Sequence, residues 1–207
     1  MNTEELLAQA SVIPVLEVVS LSDAAPLARA LADGGLRVVE LTLRTDCALE
    51  AVAEMKSAAP ELIVGMGTLR QAEDAEKSAK AGAEFLVTPG ATASLLKALA
   101  DTGLPTLPGV ATASEAMTAM EYGFNAQKFF PAELSGGVAW VKSIKGPLAD
   151  IMWCPSGGIA EDKVAEYMAL DNVACVGGSW IASRSAISGK DWAGITENAR
   201  RAAAFNT

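Results

Sequence analysis

The sequence predicts a single-domain (β/α)8 barrel. Short β-branched runs alternate with alanine-rich helical patterns from end to end, eight times in all, and the unit repeats about every 25 residues. The chain has 207 residues, a length that fits one domain. An open doubly wound sheet shares the alternation and is the rival architecture. No linker, low-complexity tract or composition shift interrupts the pattern. The domain is therefore expected to span residues 1–207, opening with a short helix at about residues 3–10.

The elements follow in order. The first strand reads Val12–Val19, and a helix starting near Ser22 ends at Gly34-Gly35. The second strand is Val38–Leu43, with a helix Cys47–Ala58 stopped before Pro60, since proline cannot continue a helix. The third is Leu62–Met66, followed by a helix Gln71–Ala81 that ends at Gly82. The fourth is Phe85–Val87, with a helix Ala93–Asp101. The fifth, Thr106-Leu107, is short and meets Pro108-Gly109 before a helix at Ser114–Glu121. The sixth is Gln127–Phe130, then a helix Val138–Ile144. The seventh is Ile151–Cys154, then a helix Asp162–Ala169. The eighth is Val173–Val176, with a helix starting at Ser179. A last helix covers Asp191–Phe205.

Composition narrows the chemistry. The chain is 51% hydrophobic and 20% charged, enough for a large core and a soluble surface. Its net charge of −9 repels nucleic-acid backbones, so no nucleic-acid partner is expected. No apolar run reaches the ~18 residues of a membrane span, and no membrane partner is expected. Cys47, Cys154 and Cys175 are odd in number and far apart, which fits a reducing cytoplasm. Met1–Ala10 is charged and helical in pattern, unlike a signal peptide. The chain contains no histidine. That removes His-based zinc sites and Ser-His or Cys-His pairs, and leaves acid–base work to Asp, Glu, Lys, Tyr or water. At this length the chain needs no disulfide or metal to stay folded.

Active sites of barrels lie at the C-terminal ends of the strands. Strand six holds Lys128 within Gln127-Lys128-Phe129-Phe130-Pro131. A lysine in an apolar strand is costly unless it is paired or neutral, and a low-dielectric setting favours the neutral amine, a nucleophile toward ketones. The bland reading is an outward lysine snorkelling past the helices. Period-two alternation puts Lys128 and Phe130 on one face and Phe129 on the other, without saying which face is interior. Strand two reads Val38-Val39-Glu40-Leu41-Thr42-Leu43-Arg44-Thr45, so Glu40, Thr42 and Arg44 share a face. Helices cover the outer face of a barrel strand, so this polar set is expected to point inward. Glu40 then suits general acid–base work, and Arg44 suits a two-pronged grip on a carboxylate. The bland alternatives are a structural Glu40–Arg44 ion pair, or a Glu–Lys pair without catalysis.

Strands seven and eight end in Ser156-Gly157-Gly158 and Gly177-Gly178-Ser179. Glycine lets backbone N–H groups approach an anion closely, and barrels often bind phosphate at these two loops. Ser156 and Ser179 add hydroxyl donors. Either Gly-Gly alone would be read as a turn. Gly65-Met66-Gly67-Thr68 and Thr88-Pro89-Gly90 close strands three and four and are compatible with plain turn chemistry.

Taken together, Ile13-Pro14-Val15, Glu40-Leu41-Thr42-Leu43-Arg44-Thr45, Gly65-Met66-Gly67-Thr68, Thr88-Pro89-Gly90, Lys128-Phe129-Phe130-Pro131-Ala132-Glu133, Cys154-Pro155-Ser156-Gly157-Gly158-Ile159 and Gly177-Gly178-Ser179-Trp180 resemble the 2-keto-3-deoxy-6-phosphogluconate (KDPG) aldolases. That family overlaps with 4-hydroxy-2-oxoglutarate aldolase. The resemblance covers nearly the whole chain. It implies a class I aldolase, free of metal and cofactor, on a (β/α)8 barrel, a homotrimer, that cleaves a phosphorylated keto sugar acid into pyruvate and glyceraldehyde 3-phosphate. It implies Lys128 as the Schiff-base lysine and Glu40 as the acid–base residue. Arg44 and Thr68 look like the pyruvate-carboxylate site, Pro89 and Phe130 like pocket lining, and Gly157, Gly158, Gly178 and Ser179 like the phosphate end. Met66, Ser156 and Glu17 depart from the usual pattern and bear on specificity. Three rivals remain: an aldolase for 4-hydroxy-2-oxoglutarate or another 2-keto-3-deoxy acid, a phosphosugar isomerase, and a silent barrel that binds a phosphate ligand.

Overall fold

A computed structural model describes residues 1–206. Nine parallel strand segments alternate with ten α-helices: α1 (Thr3–Leu7), β1 (Val12–Leu16), α2 (Ala24–Asp33), β2 (Val38–Thr42), α3 (Ala48–Ala58), β3 (Ile63–Gly67), α4 (Ala72–Lys80), β4 (Leu86–Val87), α5 (Ala93–Thr102), β5 (Thr106–Leu107), β6 (Gly109–Val110), α6 (Ala113–Glu121), β7 (Ala126–Phe129), α7 (Gly137–Ile144), β8 (Met152–Pro155), α8 (Val164–Met168), β9 (Val176–Gly178), α9 (Arg184–Ser188) and α10 (Trp192–Ala203). The order is that of a mixed α/β protein with a curled parallel sheet.

The strands pair as a six-stranded sheet, β5-β4-β3-β2-β1-β9, and a three-stranded sheet, β6-β7-β8. Pro108 separates β5 from β6. It offers no N–H, but its carbonyl accepts from Lys128 N at 2.9 Å, so the strand direction carries through. On the other side, isolated bridges join Trp153 to Val173 and Ser156 to Gly177.

Two apolar clusters share the interior. The larger lies between strands and helices, where Phe129 stacks on Trp140 at 4.2 Å and meets Trp153 edge-on. The smaller lines the concave side: Ile13, Val38, Phe85, Val87, Leu107, Cys154 and Cys175, closed below by Leu6 and Leu7 of α1. The side chains of a strand alternate between these two layers.

Several boundaries differ from the sequence expectation. The N-terminal helix stops at Leu7 rather than about residue 10, and the first strand ends at Leu16 rather than Val19. The eighth strand is Val176–Gly178, shifted past the expected Val173–Val176, because Val12, Ile13 and Pro14 pair with Val176, Gly177 and Gly178. No helix starts at Ser179. Residues 179–183 form a turn, and α9 begins at Arg184 after a Ser183 cap whose hydroxyl accepts from Ala186 N at 3.1 Å.

Candidate active site

Strand alternation resolves the position of Lys128. Phe129 turns out to the helices, so Lys128 turns in, and it is buried. Its Nζ lies 3.2 and 3.4 Å from the two Glu40 carboxylate oxygens. Both side chains are nearly removed from solvent, at 7% and 5% exposure. A buried ion pair is expensive, since desolvation offsets most of its attraction. The ring of Phe130 sits 5.2 Å from the same Nζ and is half-buried.

Glycine makes the room Glu40 needs. In β3 Gly65 and Gly67 share the concave face, with Gly65 opposite Glu40 in the register. A Cβ on Gly67 would overlap the Glu40 carboxylate, and one on Gly65 would overlap the Phe85 ring. The sequence reading had allowed plain turn chemistry here. The two glycines at period two on a strand are the signal that distinguishes a close approach from a turn.

Arg44 does not pair with Glu40. It is exposed at the rim, where its Nε donates to Thr68 Oγ1 at 3.2 Å and its Nη1 lies 3.9 Å from Glu17. Thr68 has φ +66°, a left-handed conformation that costs a β-branched residue on the order of 1–3 kcal/mol. The third polar residue, Thr42, is buried and donates to the Leu16 carbonyl at 2.7 Å, so it ties β2 to β1. Pro89 is half-buried beside β6, close enough that a Cβ on Gly109 would overlap its backbone.

The strand-end loops of β8 and β9 lie side by side. Gly157 and Gly158 have φ +100° and +81°, which only glycine adopts readily. Gly177 and Gly178 need to be glycine for a different reason: a Cβ would overlap Ser156 Oγ at the first and press on the Trp180 indole at the second. Ser156 is buried and Ser179 exposed. The backbone N–H groups of Ala132 and Glu133 donate to Ser156 and Gly157 carbonyls at 2.8 and 3.1 Å, tying the lysine strand to this loop. Glu133 also accepts from Tyr167 Oη at 2.6 Å and from Lys163. These partners, Lys163 first, hold its carboxyl below the usual range, while burial and then Glu133 push the Tyr167 phenol up. Sequence reasoning gave Glu133 no role, because its partners come from a different strand–helix unit.

Lys128, Glu40, Arg44, Thr68, Pro89, Phe130 and the two glycine loops thus gather at the C-terminal ends of the strands. A cleft of about 760 Å3 lies elsewhere, between α1 and the N-terminal ends of β7 and β8. The buried amine and carboxylate are not there, so it is not the reactive site.

A profile of the KDPG and KHG aldolases matches residues 3–198. The chain belongs to the KDPG and KHG aldolase family. The 2-dehydro-3-deoxy-phosphogluconate aldolase of Dickeya dadantii is 43% identical over 206 residues, 100% of this chain and 97% of the relative. The KHG/KDPG aldolase of Escherichia coli K12 is 42% identical over 97% of this chain and 94% of the relative. The crystal structure of KDPG aldolase from Legionella pneumophila, with pyruvate captured at low pH as a covalent carbinolamine intermediate, superposes with a TM-score of 0.93 at 40% identity, over 97% of both chains. Against the family pattern, Met66 faces away from the site: its side chain is buried in the outer cluster under the helices. Glu17, by contrast, stands at the rim beside Arg44.

Proposed function

We propose that this aldolase-family protein cleaves KDPG into pyruvate and glyceraldehyde 3-phosphate through a Schiff base on Lys128. One observation carries the reading: a lysine amine and a carboxylate are buried together, 3.2 Å apart, on the concave side of the sheet. Lys128 in its amine form attacks the C2 ketone, giving a carbinolamine that loses water to form a protonated imine. The imine takes up the electrons of the C3–C4 bond. Glu40, directly or through water, accepts the C4 hydroxyl proton as that bond breaks, and glyceraldehyde 3-phosphate leaves. Glu40 then protonates C3 of the enamine, and hydrolysis releases pyruvate. Arg44 and Thr68 hold the substrate carboxylate, and Pro89 and Phe130 line the pocket. Gly157, Gly158, Gly178, Ser156 and Ser179 receive the phosphate, which supplies alignment away from the chemistry.

The finer architecture belongs to the same proposal: one domain whose two sheets make a closed eight-stranded barrel, with β5 and β6 as a single interrupted strand. The carry-through at Pro108 and the bridges at Trp153 and Ser156 support closure. The homotrimer and the cytoplasmic location rest on the family resemblance and the three unpaired cysteines. No helix among the described residues is long and apolar enough to cross a membrane.

Borohydride added with pyruvate is expected to fix the adduct and add mass to the peptide containing Lys128. Labelling at another lysine refutes the assignment. Lys128→Ala is expected to lose cleavage almost entirely, and turnover retained by that variant contradicts the scheme. The isomerase rival forms no imine and gives no trap. Comparing kcat/KM for KDPG and 4-hydroxy-2-oxoglutarate then ranks the two aldolase substrates.

A further inference from the structure

Two of the departures from the family pattern lie near the reactive end, Ser156 in the loop after β8 and Glu17 at the rim, and Glu17 sits between two arginines. It follows β1 directly and, by period two, shares a face with Val15. Val15 is level with Glu40 in the register and faces the position of a Gly177 side chain, so that face is the concave one. On one side Glu17 Oε2 lies 3.9 Å from Arg44 Nη1. On the other, Glu17 Oε1 lies 3.2 Å from Arg184 Nη1. Glu17 is mostly shielded, at 22% exposure, whereas Arg184 is 66% exposed. The carboxylate is thus the fixed member and the Arg184 side chain the one drawn toward it.

Arg184 is also anchored from behind. The turn leading to it places Ile181 and Ala182 in the core, and Asn198 of α10 donates to the Ile181 carbonyl at 3.0 Å. The same turn starts at Gly178-Ser179, and Gly178 pairs with Pro14 of β1. Arg184 therefore ties the turn after β9, which opens with Gly178-Ser179, to the end of β1. Two guanidinium groups against one carboxylate leave one net positive charge at this rim, on a chain whose net charge is −9.

We propose that Arg184 is a specificity-determining residue for the phosphate end of the substrate, and that Glu17 is the positioning residue that holds it at the mouth. The proposal rests on the aldolase reading above. A guanidinium offers a planar fork of N–H donors to phosphate oxygens, and its remaining donors can stay on Glu17 while it does so. A substrate without phosphate makes no use of it. Arg184 then separates phosphorylated from unphosphorylated 2-keto-3-deoxy acids, while Lys128 and Glu40 treat them alike.

The test compares kcat/KM for KDPG and for unphosphorylated 2-keto-3-deoxygluconate in the full chain, in Arg184→Gln, Arg184→Lys, Glu17→Gln and the Glu17→Gln/Arg184→Gln double variant. Borohydride trapping of pyruvate on each protein reports an intact reactive centre. Arg184→Gln is expected to raise KM for KDPG about tenfold and to lower the preference for the phosphorylated acid by the same factor. Arg184→Lys is expected to recover part of that preference through its charge. In the Glu17→Gln background, removing Arg184 is expected to cost less than about twofold, because an untethered Arg184 no longer contributes. An unchanged preference in Arg184→Gln overturns the proposal. An Arg184→Gln penalty of full size without Glu17 overturns the positioning role. A parent protein that does not trap pyruvate would instead sink the aldolase reading itself, so the two failures are distinguishable.

Discussion

Glu40 and Gly67 show how closely one residue is fitted to another at this site. The Glu40 carboxylate occupies the space where a side chain on Gly67 would begin. In Gly67→Ala the added methyl meets the movable end of Glu40 as its nearest obstacle, so the glutamate is expected to yield before the strand does. Overpacking of this kind costs about 1–3 kcal/mol of stability. Its effect on catalysis is expected to be larger, because a displacement of about 1 Å in a reacting group can cost about a hundredfold in rate. Steady-state kcat for KDPG cleavage should therefore fall by about two orders of magnitude, with the thermal midpoint moved by only a few degrees. A kcat within threefold of the parent would mean that the position of Glu40 is not critical. At this scale the sequence was readable where strand periodicity fixes a face. Glu40 was expected to point inward, and it does. Lys128 needed a partner to settle its face, and Glu40 supplies it. The Glu17–Arg184 pair was not readable, since it depends on the turn after β9 folding back over the rim.

Between elements, the loop after β7 is joined to the loop after β8 by Glu133. Its carboxylate collects Tyr167 and Lys163 from the following strand–helix unit, while its own N–H holds Gly157. The Glu133 pKa is lowered in the folded state. The stability it contributes is thus fully present above the unfolded carboxyl value, about 4.3, and is lost as pH falls through the lower folded value. Glu133→Gln removes that ionisation. On acidification from about pH 5 toward pH 3, the urea midpoint of the parent is expected to fall more steeply than that of Glu133→Gln, with the two curves converging at the acid end. Parallel curves would show that Glu133 is not linked to folding. The legibility of the elements has a similar physical limit. Most helices were read closely, because their stop signals, such as Pro60 and Gly82, are local in the sequence; the exceptions are α1, which is shorter than expected, and the turn at residues 179–183. Strands were read less well. Val173 has strand character in the sequence, yet it makes only an isolated bridge, because β9 takes its register from β1. Ladder partners distant in sequence decide where a strand begins.

Across the whole molecule, the concave cluster draws on residues far apart along the chain, from α1 to the segment before β9. Leu6 and Leu7 come from α1, Ile13 from β1, Val38 from β2, Phe85 and Val87 from the fourth strand, Leu107 from β5, Cys154 from β8 and Cys175 from the segment before β9. A hydrogen bond with the Cys154 thiol, and then burial, push the Cys175 thiol well up, which keeps it protonated and apolar in behaviour. A core assembled from both ends of the sequence cannot lose one contributor without loosening the rest. Leu6, fully buried, is the sharpest test, because the short helix that carries it has few turns of its own to hold it. Leu6→Ala is expected to destabilise the protein by about 2–5 kcal/mol, the cost of lost transfer energy plus a cavity. Unfolding should remain one transition, with Trp fluorescence from Phe129–Trp140–Trp153 surroundings and far-UV circular dichroism sharing a midpoint. Pyruvate trapping should persist below that midpoint, since Leu6 closes the end of the sheet opposite Lys128. If α1 were only laid against the surface, the cost would be below about 0.5 kcal/mol. Separate midpoints for the two probes would show instead that the N-terminal plug and the strands around Lys128 fold as independent units.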